Sequence, residues 1–253
     1  MQLHHQVQGK GTPLIILHGL FGSISNWRSL ATAFSRQFQV ITIDLPNHGH
    51  SPPKAIFNYP SLAQDLIDFM DEQSIDTAAL LGHSLGGKIA MQCALDFPNR
   101  ITHLLVADIA PRAYAPEHLL IFNALSELNL TAYKNRLEID EALSRQIPNL
   151  ETRQFLLMNL EKNKGGYSWR INLNNLQQNY QAICAAVVGK NVYLGPSLFI
   201  KGEDSGYIRG GDKIGIRKWF PKAEMVSIPK SGHWLHAEAP EVFATIVLTF
   251  LGK

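Results

Sequence analysis

Short apolar runs rich in β-branched residues recur along the chain: PLIIL from Pro13, QVITIDL from Gln39, TAALL from Thr77, ITHLLVAD from Ile101, SLFI from Ser197 and EMVSI from Glu224. Each is too short for a stable helix, and several lack the alternation of a half-exposed strand, so they read as strands of a sheet covered on both faces. Helical patterns lie between most of them. From Ser61, the residues SLAQ have the form of a capping box, and Leu62, Leu66, Phe69 and Met70 fall on one face of the helix that follows. Strands alternating with helices predict an α/β protein with a mainly parallel sheet. LHHQVQG, near the start, fits an added antiparallel edge strand.

The rhythm breaks after Pro111. From Arg112 to Gly195 the pattern gives helices and turns but no convincing strand, and the segment is too long for a plain connection. We therefore expect one domain over residues 1–253, with a helical lid at 112–195 inserted over one end of the sheet.

Composition changes this picture little. With 45% hydrophobic and 17% charged residues, the chain has the balance of a globular domain. The net charge of +2 is scattered, and its densest patch, RGGDKIGIRK, is diluted by Asp and Gly, so no nucleic-acid partner is expected. The first residues, MQLHHQVQGK, lack the apolar core of a signal peptide, and no apolar run approaches the ~18 residues of a membrane span. A cytoplasmic location without a membrane partner follows. Cys93 and Cys184 lie in apolar, helix-like segments without metal-ligand spacing, which fits buried reduced thiols.

The chemistry concentrates at ALLGHSLGGKIAM. Gly82, Ser84 and Gly86 form G-x-S-x-G between a strand and a helix, a context in which the serine hydroxyl is lifted above the sheet as a nucleophile. The bland alternative is a glycine-rich turn with an incidental serine. Neither the dinucleotide nor the Walker pattern is present to make it a phosphate loop. A serine nucleophile near neutral pH needs a histidine base, an acid to orient that base, and donors for the oxyanion. His233, in PKSGHWLHAE, follows the last predicted strand, as the order serine, acid, histidine requires. His236 is a weaker candidate for base; His83, His18, His48 and His50 read as flanking or turn residues. LHGLFG supplies the Leu20 N–H, which can pair with that of Leu85 as an oxyanion hole. Two loops offer the acid: Asp108 after LLVA, and Asp204 after SLFIKGE.

These pieces, HGLFGS, NHGHS, YPSLAQDL, GHSLGGK, DIAP and GHWLHAE, resemble in order and spacing the α/β-hydrolases, and more narrowly the bacterial YbfF-type esterases. The resemblance covers nearly the whole core, and WRIN around Trp169 is the most family-like patch of the insertion. It implies a serine hydrolase of small esters or acyl thioesters that needs no metal and no cofactor. Most α/β-hydrolases keep the acid in a G-x-x-D turn, which here runs Gly202, Glu203, Asp204, Ser205, with serine in the acid's position. The YbfF-type branch instead has an aspartate where Asp108 stands, so Asp108 is the preferred acid and Asp204 the alternative. Expected pocket walls are Leu20, Phe21, Trp234 and, from the insertion, Tyr114, Phe122, Phe155 and Trp169. Fold and triad leave open a carbon–carbon bond hydrolase, a lyase, or a ligand receptor that has kept the triad. An aspartate-nucleophile hydrolase is disfavoured by Ser84.

Overall fold

The computed structural model describes residues 2–252. The chain opens with strands β1 (His5–Gln8) and β2 (Pro13–Leu17), helix α1 (Arg28–Phe34), β3 (Gln39–Ile43), α2 (Tyr59–Glu72), β4 (Ala78–His83), α3 (Leu85–Asp96) and β5 (Ile101–Ala107). Helices α4 (Leu119–Glu127), α5 (Arg136–Ser144) and α6 (Leu150–Leu157) follow, then strands β6 (Leu160–Asn163) and β7 (Gly166–Trp169) and helices α7 (Leu173–Gln178) and α8 (Tyr180–Cys184). The core resumes with β8 (Ser197–Gly202), α9 (Asp212–Trp219), β9 (Ala223–Ile228), α10 (Leu235–Glu238) and α11 (Pro240–Leu251).

Seven strands form one sheet in the order β1-β3-β2-β4-β5-β8-β9, all parallel except β1, which runs antiparallel to β3 with His5 opposite Ile43. Both faces are covered. Leu62, Phe69 and Met91 from α2 and α3 belong to the apolar layer on one face, while Trp27, Phe34 and Phe243 belong to the layer on the other. Burying a side chain of this size is worth about 1.5–3 kcal/mol. Strands β2, β3, β4, β5 and β8 are closed in by these layers, which is why they read as apolar runs, while the edge strand β9 keeps exposed positions. From β2 the chain steps outward to β3, then returns to place β4 on β2's other side, so the strand order reverses there. Loops leaving β2 and β4 diverge at this point and open a crevice at the carboxyl ends of the strands.

Two local details depart from expectation. Helix α2 begins at Tyr59 rather than Ser61, because the Asn58 side chain accepts the Ser61 N–H and caps the helix. Pro60 then sits in the first turn, where its missing N–H costs nothing. The segment between β5 and β8 also contains a hairpin, β6–β7, with Asn163 opposite Gly166. Its strands are only four residues long and partly exposed, so they lack the apolar runs that mark the main sheet. Gly166, at φ 115°, supplies the left-handed backbone that closes the turn.

Candidate active site

Ser84 stands between the end of β4 and the start of α3, with φ 51° and ψ −115°. Such a conformation costs a non-glycine residue on the order of 1–3 kcal/mol, and here the surroundings enforce it. Its N–H donates to the Ala107 carbonyl at 3.0 Å, and the Gly86 N–H donates to the His18 carbonyl at 3.1 Å, tying the turn to β5 and to the loop after β2. A Cβ on Gly82 would lie 2.3 Å from the Gly86 carbonyl oxygen, and one on Gly86 would lie 2.4 Å from that of Leu17. The strand-to-helix approach therefore requires both glycines. Although Ser84 is the N-cap of α3, its hydroxyl makes no capping hydrogen bond and is left for other work. The N–H groups of Leu85, at the start of α3, and Leu20, in the turn after β2, have no protein acceptor among the described residues.

The loop after β5 brings in Asp108, itself at φ 51° and with no exposed surface. Its Oδ2 accepts from His233 Nδ1 at 2.8 Å, and its Oδ1 accepts from the Gly202 N–H at 3.2 Å. The hydroxyl of Ser205 donates to the same Oδ2. Ser205, in the slot where the resemblance places an acid, thus touches Asp108. Its own Oγ accepts the Tyr207 N–H at 3.2 Å. The Tyr207 ring stacks on the His233 imidazole with centroids 3.9 Å apart and planes 19° apart. Asp204 is exposed and makes its contact through the backbone, donating its N–H to the Ser231 carbonyl at 2.9 Å. Sequence reasoning noted Ser205 in the acid's slot but gave it no role, and passed over Tyr207. For Ser205 the signal was a non-acid in the acid's slot, which asks what that residue does instead.

Four other histidines, His18, His48, His83 and His236, are buried among these loops, while His50 is exposed. His18 donates Nδ1–H to the Gly19 carbonyl at 2.8 Å and accepts the Leu45 N–H on Nε2 at 2.9 Å. His48 accepts the Phe21 N–H on Nε2 at 3.3 Å. His83 Nε2 bonds the His233 carbonyl at 2.8 Å, holding the backbone of the histidine loop. His236 stacks on Trp27, with centroids 4.6 Å apart. Burial holds these imidazoles neutral: His48 and His236 are pushed down to about 3, and His83 falls well below its ordinary value.

Ser84 lies between two cavities. One, of about 300 Å³, is lined by Phe21, Phe155, Tyr207, His233 and Trp234 among others. The second, of about 50 Å³, is lined by Leu20, Leu85, Tyr59, Lys88, Tyr114 and Tyr180 among others. No hydrogen bond joins Ser84 to His233 in this state, but both face the larger cavity. Phe155 of α6 leans against Trp234, with centroids 5.4 Å apart, and Asn159 donates to the Phe21 carbonyl at 2.6 Å, so the 112–195 segment packs against the loops after β2 and β9. Trp169 lines neither cavity: its Nε1 donates to the Leu125 carbonyl at 3.1 Å, within the packing of the segment itself. Phe122 is fully buried beside Phe21. Lys88, inside the smaller cavity, was not anticipated. Among the described residues no cluster of three or more His, Cys, Asp or Glu side chains could hold a metal ion, and no helix is long and apolar enough to cross a membrane.

Comparison with known proteins agrees with this architecture. A family model described as alpha/beta hydrolase fold matches residues 12–240. The chain is 38% identical to the sn-1-specific diacylglycerol lipase ABHD11 of Danio rerio, over 96% of this chain and 80% of that protein. It is 33% identical to Esterase YbfF of Escherichia coli, over 97% of this chain and 95% of that one. A solved structure of a marine microorganism esterase superposes with a TM-score of 0.96 at 40% identity, covering 98% of this chain and 99% of that one.

Proposed function

The chain belongs to the α/β-hydrolase family, in its YbfF-type branch, and from that premise we propose that it is a serine hydrolase of small carboxylic esters and acyl thioesters, working through an acyl-enzyme on Ser84. The diacylglycerol lipase, the YbfF esterase and the marine esterase it resembles are all named for ester hydrolysis, which supports a carboxylesterase-type enzyme. The observation that carries the mechanism is the 2.8 Å contact between His233 Nδ1 and the buried Asp108, at the cavity that also holds the strained Ser84.

Ser84 Oγ attacks the ester carbonyl while His233 Nε2 takes its proton. Asp108 holds the imidazole by the opposite nitrogen and stabilises the imidazolium that forms. The N–H groups of Leu20 and Leu85 donate to the oxyanion; removing one such donor typically costs about 2.7–4 kcal/mol of barrier lowering. The imidazolium returns its proton to the leaving oxygen as the carbon–oxygen bond breaks. The same histidine then activates water, which displaces the acyl group and regenerates Ser84. Phe21 and Trp234 wall the substrate cavity, and the 112–195 segment acts as a lid whose Tyr114 and Phe155 complete the two pockets. The direct test is a serine-directed fluorophosphonate with mass spectrometry. It should label Ser84 and abolish hydrolysis of p-nitrophenyl esters. An adduct at another residue, or a Ser84→Ala enzyme with near wild-type turnover, overturns the mechanism.

A further inference from the structure

Lys88 is 2% exposed, a burial that lysine reaches rarely and at a cost unless its charge is paired. Among the described residues no carboxylate forms an ion pair with it. Its Nζ donates to the Ala185 carbonyl at 2.6 Å and lies 4.7 Å from the Tyr114 ring centre and 5.3 Å from that of Tyr59. One backbone carbonyl and two aromatic faces solvate an ammonium incompletely, and burial accordingly pulls Lys88 down to about 7, with Cys184 opposing the shift and Arg112 adding to it. Arg112 is itself matched, at 3.0 Å, by Asp212. Glu117, on the lining of both cavities, is exposed and screened by solvent. The smaller cavity thus holds a buried amine that no carboxylate pairs among the described residues, its lining acid Glu117 standing in solvent.

The reaction assigns this cavity to one end of the substrate. His233 must hand a proton to the leaving oxygen, so the leaving group belongs in the larger cavity, which His233 lines, and the acyl group in the smaller one, which it does not. Ser84, Leu85 and Lys88 follow one another on one face of α3, about one turn or ~6 Å along the axis from the first to the last. Long helical side chains lean toward the helix N-terminus, which here is Ser84. We infer that Lys88 is a specificity residue that holds the far end of the acyl group, and that the preferred acyl group is a short one ending in a carboxylate. The carboxylate supplies the missing counter-ion. It extends the hydrolytic reading above and depends on it.

The test compares kcat/KM for monobenzyl succinate with that for benzyl isocaproate, whose branched end has the shape of the carboxylate without its charge. The wild-type enzyme should favour the succinate ester. Lys88→Met should lower the succinate-to-isocaproate ratio about tenfold or more, and Lys88→Arg should restore part of it, because a charge-assisted hydrogen bond is lost and regained. A wild-type preference for the neutral ester overturns the inference without any variant. So does a Lys88→Met enzyme in which both esters decline in parallel, which would make Lys88 a strut between α3 and the end of α8. If both of those results occur while the neutral ester is still hydrolysed in a Ser84-dependent way, the hydrolytic reading stands and only the inference fails. Turnover of neither ester, or turnover that survives Ser84→Ala, brings down both.

Discussion

The loops after β5 and β8 both reach the histidine end of the sheet, yet they treat their acids in opposite ways. The β8 loop carries Glu203 and Asp204 in solvent, with Glu203 accepting the Lys230 N–H at 3.2 Å. At the end of β5 the next loop places Asp108 fully enclosed, with donors from His233, Gly202 and Ser205, and leaves its other acid, Glu117, exposed further along. A carboxylate that orients a base needs enclosure and fixed donors, since an exposed one is screened and free to turn. Strands β5 and β8 are parallel neighbours, so an acid on either can reach the same imidazole. In this chain the contact with His233 is made from the β5 side.

Exchange of parts between these loops gives graded outcomes. Asp108→Asn should keep the fold by circular dichroism while lowering kcat by as much as ~10⁴-fold, because the amide favours the wrong imidazole tautomer. If Asp204→Asn did this and Asp108→Asn did not, the comparison would be reversed. Combining Asp108→Ser with Ser205→Asp returns the acid to the β8 loop. Steady-state kinetics should find the double variant about tenfold or more above Asp108→Ser alone, since the two side chains already touch. No recovery would mean that the positive-φ turn at Asp108, rather than proximity, sets the geometry. Ser205→Ala removes one donor from a buried carboxylate and should lower kcat about tenfold, with little change in KM. Asp204→Asn should leave kcat within about twofold, the typical scale of a surface substitution away from such contacts.

The parallel sheet, the serine turn and the antiparallel edge were legible because each rests on a local pattern of apolar runs or on G-x-S-x-G, whereas the strand order was not. The hairpin at 160–169 was not legible either, since two four-residue, partly exposed strands are too short to show a pattern. Nor was the role of Lys88. A lysine among the apolar residues of α3 reads as a side chain whose head escapes to water, and only the fold closes that exit. Trp169 was placed in the pocket on the strength of WRIN, but an aromatic in an inserted segment can face the segment's own core, and this one does. The contact of Ser205 with Asp108 spans two strands distant in sequence, where single-chain patterns carry no information.

The buried imidazoles around Ser84 tie the integrity of the site to acidity. Folded His48 and His236 take up protons only near pH 3, whereas unfolded histidine does so near 6.5. Between those values the unfolded chain binds more protons, so the stability these residues contribute is complete above about 6.5 and drains away as pH falls toward 3. Thermal midpoints measured downward from neutral pH should decline through this window, and less steeply in His236→Phe, whose ring can keep the stack on Trp27 without a proton to gain. In acid, the same imidazoles that brace the loops would become the charges that pry them apart.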